Sequence, residues 1–243
     1  MFTLRQIQKT HEFNIFFIDF KKAYDSIRRD KLLTAIYALG IPAKLVNMCR
    51  LTLADTKTLV KVDGEKSEPL ITTKGFRHGN GLSCDLFNIC LEMIISGANI
   101  DTTGTIYNKA LQILGYAADL DIITTDIRCL DTAVDNIVGA ADDMGLQLNI
   151  SKNKYMFSTK NKSQSQLTCS LTLGSRKFEV VKEFIYLGMK ISADNNTSAE
   201  IRRRITLAIC CLYGLSKHLS SKKLSRTTKL RLHTDSPSIG LRC

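Results

Sequence analysis

With 243 residues and 44% hydrophobic content, the chain is long enough to bury a sizeable core, as one large domain or a domain with an appendage. Its formal net charge of +11 suits a polyanionic partner better than a neutral metabolite, which puts nucleic acid first, although many basic proteins are merely soluble. The eight cysteines include no CxxC pair and no nearby paired histidines, which argues against a zinc site. No basic-then-apolar leader is present and no apolar run reaches the roughly 18 residues of a membrane span. The expectation is an intracellular chain with reduced thiols, in nucleus or cytoplasm, and without a membrane partner.

Arg5 to Glu12 reads as a short polar helix. Asn14 to Phe20 reads as a strand whose continuous hydrophobicity predicts burial on both faces. A helix is expected from Ser26, as N-cap, to Leu39, where Gly40 and Pro42 stop it, and a second over Ala43 to Leu53. Thr58 to Val62 and Leu70 to Thr73 read as two strands joined through the turn signal of Asp63 and Gly64. Residues 75 to 81 form a loop, and Leu82 to Ser96 carries apolar residues at helical spacing, with Ser83 close to its start.

Ala110 to Ala117 and Leu120 to Thr125 read as an apolar hairpin turning around Ala118 and Asp119. A helix from Cys129 to Met144 ends at Gly145, and short strands with polar turns continue to about Ser192. From Ser198 the pattern becomes helical and basic, over Glu200 to His218 and Lys222 to Leu232. The polar run ADNNT at 193 to 197 reads as a linker, which places a domain boundary there.

Two carboxylates stand out. Asp19 lies in a strand otherwise made of Phe and Ile, where a carboxylate is costly unless it is paired, binds a metal or reaches solvent at the strand end. Asp119 is presented at a tight turn between two apolar strands, a rigid way to hold a functional group, though Asp is also common in turns for backbone reasons.

The order of motifs resembles the reverse transcriptases of LINE-type, non-LTR retrotransposons, from about Phe2 to Leu232. FFIDFKKAYDSI at 16 to 27 is similar to the family's first palm motif, GFRHGNGLSCDLFN at 75 to 88 to its second, and LGYAADLDII at 114 to 123 to its YADD hairpin. GLQLNISKNKYM at 145 to 156 is similar to the fourth motif, and EFIYLG at 183 to 188 to the hairpin that grips the primer. The fold implied is α/β (α+β): a right-hand polymerase palm, an antiparallel sheet backed by helices, with partial fingers and a truncated helical thumb. Residues 1–192 would be the palm and 193–243 the start of the thumb, with an atypical tail from about 234.

The resemblance implies RNA-templated DNA synthesis from nucleoside triphosphates on a DNA primer. Two magnesium ions about 4 Å apart activate the primer 3′-oxygen and stabilise the departing pyrophosphate. It gives Asp19 and Asp119 to the metals and Lys152 to the leaving group. Phe20, Tyr24, Arg77, His78 and Gly79 fall to the nucleotide, with core packing as the alternative for Tyr24 and plain solvation for Arg77. Tyr186, Leu187, Gly188, Arg202, Arg203, Lys222 and Lys223 fall to primer and template. The other basic residues of the tail suit contacts to a duplex backbone. The alternative there is a solvated face, with Ile201, Ile205, Leu212 and Leu215 packing inward.

The sequence departs from the family pattern where it matters most. Ala118 stands where the first Asp of YADD belongs, and a methyl group cannot coordinate magnesium. Asp119 remains, one residue along, where its side chain is expected to point elsewhere, and Asp121 is expected to fall short of the same ion. His78, Asn80 and Cys84 replace a Gln, an Asp and a Pro. The shortened start and the unrelated end after KLRLH read as a decayed, truncated copy. The sequence therefore implies a polymerase running near background, with a non-catalytic nucleic-acid-binding protein or an inert remnant as the alternatives and the oligomeric state open.

Overall fold

The computed structural model describes residues 12–54, 56–76, 79, 81–100, 111–159, 170–221 and 223–235. The expected helix at 5 to 12 therefore falls almost wholly outside the described residues, as do Arg77, His78, Asn80 and Lys222.

The centre is strand β1 (Phe13–Ile18), all of whose residues are buried. Its side chains alternate between two cores. Phe16 and Ile18, with Phe20 just beyond, join a large cluster on the helix side, while Phe13, Ile15 and Phe17 join a smaller one on the other face. The continuous apolar run is thus a strand covered on both faces, since side-chain direction alternates along a strand. Asn14 is the polar exception, and it is satisfied: its amide donates to the carbonyls of Thr124 and Thr125 at 3.2 Å each, and Tyr155 donates its hydroxyl to Asn14 Oδ1.

Helix α1 (Ala23–Ser26) is a single turn, α2 spans Arg29–Ala38 and α3 spans Ala43–Leu53. The expected helix from Ser26 is thus divided. Ser26 does not cap it, because its hydroxyl donates to the Lys21 carbonyl, and the N-cap position falls to Arg28 in extended backbone. The next segment also differs from expectation. Asp63 and Gly64 do turn the chain, but they join the two-residue strands β3 (Lys61–Val62) and β4 (Glu65–Lys66). Leu70 pairs with Thr58, one from each expected strand, as β5 (Leu70–Thr72) closes on β2 (Thr56–Thr58).

Helix α4 (Leu82–Gly97) and helix α5 (Ile127–Asp143) cover the helix-side face of the sheet. Leu130, Val134, Ile137, Val138 and Ala141 of α5 recur at helical spacing and are buried, and Asp126 caps the helix by accepting from the Arg128 N–H at 2.9 Å. Gly145 follows with φ +87°. Between the two helices lie β6 (Leu111–Tyr116) and β7 (Asp119–Thr124), a hairpin whose turn is Ala117 and Ala118, one residue earlier than expected.

The sheet has six strands in the order β6, β7, β1, β8 (Lys154–Ser158), β10 (Arg176–Val180) and β9 (Ser170–Leu173). It is antiparallel except for the parallel pair β8 and β10. A separate hairpin, β11 (Glu183–Tyr186) and β12 (Met189–Ser192), packs on the face away from the helices through Tyr186 and Ile191. Two long elements follow, α6 (Thr197–Ser220) and α7 (Arg226–Asp235).

The run ADNNT leading into α6 is more tightly held than a free linker. Ala193 exchanges backbone hydrogen bonds with Thr159 and Lys182 at 3.0 and 2.9 Å, and Asn196 caps α6 on the Ser198 N–H. The apolar residues expected to pack inward from α6 do not do so: Ile201, Ile205 and Leu212 are about half exposed and Leu215 is half-buried.

Candidate active site and nucleic-acid interface

Antiparallel pairing of β1 with β7 sets Ile18 opposite Leu120, so the residues next outward, Asp19 and Asp119, meet at the same end of the two strands. Both line a cleft of about 280 Å³ with Lys152, Lys154, Ser151, Phe17 and Ile18, and Phe184 to Leu187 of the β11 hairpin form its far wall. Burial and then the neighbouring Asp19 charge raise the Asp119 pKa above the ordinary carboxylate value, while Lys152 opposes them. The Lys152 ammonium lies 3.7 Å from Asp19 Oδ2.

The turn carboxylate that faces Asp19 is therefore Asp119, which corrects the expectation that it would point elsewhere. Period-2 alternation is the cause. Asp119, Asp121 and Ile123 lie on the same face of β7 as Phe17 of β1, whereas Leu120 and Ile122 face the helices. Ala118, in the turn, packs at the edge of the helix-side cluster.

Asp19 is held from the 149–153 turn. Asn149 donates its side-chain amide to Asp19 Oδ2 at 2.9 Å and its backbone N–H to the Asp19 carbonyl at 2.9 Å, and Asn153 Oδ1 accepts the Asp19 N–H at 2.8 Å. Neither asparagine was singled out from the sequence. Their spacing around Lys152 is a weak turn signal, and nothing local says that they reach a strand 130 residues earlier.

Asp121 is fully buried, and the Tyr186 hydroxyl faces its carboxyl without closing a hydrogen bond of ordinary geometry. Burial drives its pKa up to about 8, the Asp119 charge adds to this, and the Tyr186 hydroxyl opposes it. It does not line the cleft.

The residues expected to meet the nucleotide are divided. The Phe20 ring is buried in the helix-side core. Tyr24 stacks on Phe87 with ring centroids 4.5 Å apart and meets Phe76 edge-on at 6.1 Å, so packing accounts for much of its position. Gly79 has φ +83°, a conformation that favours glycine. The start of its loop is fastened to α1 and α2: Gly75 and Phe76 donate backbone N–H groups to Ile27 and Tyr24, and Arg29 donates to the carbonyls of Gly75, Leu53, Thr72 and Lys74. Beside this lies a basic cleft of about 700 Å³, lined by Lys21, Lys22, Lys74 and Lys152 together with Asp25, Gln147 and Asn149.

Of the residues expected to meet primer and template, Tyr186 is buried with its ring 5.4 Å from Phe17, and Leu187 and Gly188 form the hairpin turn with φ 46° and 76°. Arg202 and Lys223 are exposed. Arg203 is turned onto the protein, donating to Glu200 and to the Gly188 carbonyl.

Two bridging ions require more than this donor set supplies. Among the described residues Asp19 and Asp119 are the carboxylates that line the cleft, an ammonium stands beside one of them, and Ala118 packs on the helix side. Among the described residues no group of three or more His, Cys, Asp or Glu could hold a metal ion. The residues present do not fit a two-ion centre. No helix among the described residues is long and apolar enough to cross a membrane.

Comparison with known proteins agrees with the fold and the order of these elements. Residues 3–191 match the family model described as reverse transcriptase (RNA-dependent DNA polymerase). A Pol polyprotein from a type-1 retrotransposable element R2 of Popillia japonica is 27% identical over 123 residues, covering 51% of this chain and 20% of that protein. The R2DM Pol polyprotein of Drosophila melanogaster is 25% identical over 185 residues, covering 72% of this chain and 17% of that protein. The chain thus spans about a fifth of the length of these relatives. Among solved structures, apo telomerase from Candida tropicalis superposes with a TM-score of 0.57 at 16% identity, over 79% of this chain and 36% of that one, a likeness of fold. A motif order read along the sequence, a palm-type sheet and a family match over most of the chain lead to one assignment: the chain belongs to the reverse transcriptase (RNA-dependent DNA polymerase) family.

Proposed function

We propose that this chain is a reverse transcriptase palm that keeps its grip on primer and template while nucleotidyl transfer runs near background. In this reading residues 1–192 are the palm with partial fingers and 193–243 the start of the thumb. Reverse transcriptases use divalent metal ions, and the ion intended here is magnesium. Asp19 and Asp119 are the metal-side carboxylates and Lys152 the group for the leaving pyrophosphate. The basic cleft beside Phe20, Tyr24 and Gly79 takes the nucleoside triphosphate together with Arg77 and His78. The β11 hairpin with Arg202, Lys222 and Lys223 takes an RNA template and a DNA primer. Such a substrate goes with nucleus or cytoplasm.

The observation that carries the reading is the pairing of Asp19 with Asp119 in one cleft that no third carboxylate lines among the described residues, with Ala118 at the adjoining turn. Loss of an outer partner alone costs about 10- to 100-fold in metal affinity or activity, so loss of a direct ligand costs at least that much. Primer extension with magnesium tests it. The chain as it stands is expected to extend near background, Ala118→Asp to gain about tenfold or more, and Asp19→Ala in that variant to abolish the gain. No gain on reversion, or robust extension without it, refutes the proposal.

A nucleic-acid-binding protein without catalysis is the second reading, supported by the basic cleft and the exposed Arg202 and Lys223. It predicts duplex affinity that falls steeply with salt, whereas an inert remnant binds nothing at any salt concentration.

A further inference from the structure

Helix α6 runs for 24 residues, and the one buried residue on it is a carboxylate, Glu200, at 2% exposure. A buried carboxylate is stable only if its oxygens are well satisfied. Glu200 Oε2 accepts the Lys190 backbone N–H at 2.8 Å and Arg203 Nε at 3.1 Å, and Oε1 accepts Arg204 Nε at 2.6 Å. Arg203 also donates to the Gly188 carbonyl at the hairpin turn. Burial opposes the charge, but the Arg204, Lys190 and Arg203 hydrogen bonds together hold the Glu200 pKa below its ordinary value.

This joint connects two functional surfaces. On one side is the β11 and β12 hairpin, whose residues 184 to 187 wall the cleft that contains Asp19 and Asp119. On the other is a helix with exposed Arg202 and Lys217 on its surface. The apolar side chains of α6 do not make the connection, since Ile201, Ile205, Ile209 and Leu212 remain about half exposed. Beyond the chain connection itself, where Ser192 and the N-cap Asn196 are hydrogen-bonded, helix and hairpin are joined by this charged, directional cluster at the first turn of the helix.

We propose that the Glu200 carboxylate locks α6 to the β11 and β12 hairpin as one body, so that a duplex held on the basic helix is held in register with the cleft. This rests on the nucleic-acid-binding reading above. Glu200 is in this sense a positioning residue, acting through Lys190, Gly188 and the hairpin wall.

Hydrogen exchange on the full chain, without nucleic acid, reads the joint directly. In Glu200→Ala, amides of 183–192 and of the first turns of α6 are expected to exchange about tenfold faster, with β1 and β8 unchanged. Glu200→Gln keeps an oxygen for the Lys190 N–H, so it is expected to restore the hairpin's protection while α6 stays fast. Wild-type protection in Glu200→Ala, or loss spread through the whole sheet, overturns the joint. In a second arm, affinity for an RNA–DNA duplex of about 20 base pairs is expected to fall about fivefold or more in Glu200→Ala. A variant that decouples helix from hairpin yet binds as tightly as wild type overturns the registering role. Coupled exchange in a wild-type chain that binds no duplex leaves the joint standing and refutes the binding reading.

Discussion

Asp121 gives the sharpest test of the site's electrostatics. Its carboxyl is fully buried, with the Tyr186 hydroxyl facing it but closing no hydrogen bond of ordinary geometry, and burial pushes its pKa up to about 8 from an ordinary 3.8. The folded chain therefore keeps it protonated where the unfolded chain releases the proton, so folding loses stability as pH rises from about 4 towards 8. At 1.36 kcal/mol per pK unit, the loss between pH 5 and pH 8 is on the order of 4 kcal/mol. Against a total stability of about 5 to 15 kcal/mol, that is a large fraction. Asp121→Asn removes the titration while keeping the shape. Asp121→Val also removes the unmet polar atoms, beside Phe17 and Leu114 in the neighbouring strands. Urea unfolding at several pH values, at constant ionic strength with chelator present, isolates the effect as the difference between wild type and Asp121→Asn, because Asp119 contributes its own slope to both. The expected result is a steeper decline in wild type, and Asp121→Val more stable than wild type at pH 8. Parallel pH profiles for wild type and Asp121→Asn would refute the reasoning.

Gly75 has φ +74° and an added Cβ would stand 2.6 Å from Asp25 Cα, a backbone atom that cannot yield cheaply. Gly75→Ala is expected to lose about 2 to 4 kcal/mol in urea unfolding; a loss under half that would mean the loop shifts freely. Arg29 serves four backbone carbonyls from one planar group, so Arg29→Ala is expected to cost about 2 to 4 kcal/mol by the same assay. Arg29→Lys should recover less than half, because a single ammonium cannot span the set, and full recovery by Lys would count against that account.

Elements whose signals are local were legible in the sequence. The run NIFFI declared a strand buried on both faces, and the apolar periodicity of α5 brought its boundaries within two residues of the observed helix. Where polar side chains compete for the backbone, the reading slipped. Ser26 looked like a helix cap but its hydroxyl turns back to Lys21, and the 63–64 turn signal gave one hairpin where the chain forms an inner ribbon and a separate outer pair. In the site, the meeting of Asp19 with Asp119 followed from strand order, but which turn residue faces inward depended on a one-residue register at 117 and 118. Asn149, Asn153 and Glu200 were not legible at all, because each acts on an atom distant in sequence or in another element. Arg203 was legible as a base, but its contact with Glu200 and Gly188 was not.

The tip of the β6 and β7 hairpin bears on how such a copy ages. Strand register here is fixed by Leu120 and Ile122 beneath the helices, and Asp19 is clamped from the 149–153 turn, so neither depends on what occupies position 118. In the proposed reading an alanine there costs a ligand, while its own side chain packs at the edge of the helix-side cluster. Cellular quality control, which responds to unfolding and not to lost turnover, has no means of detecting it. On the proposed reading, architecture of this kind would let catalytic capacity disappear by a single substitution while the scaffold around it endures.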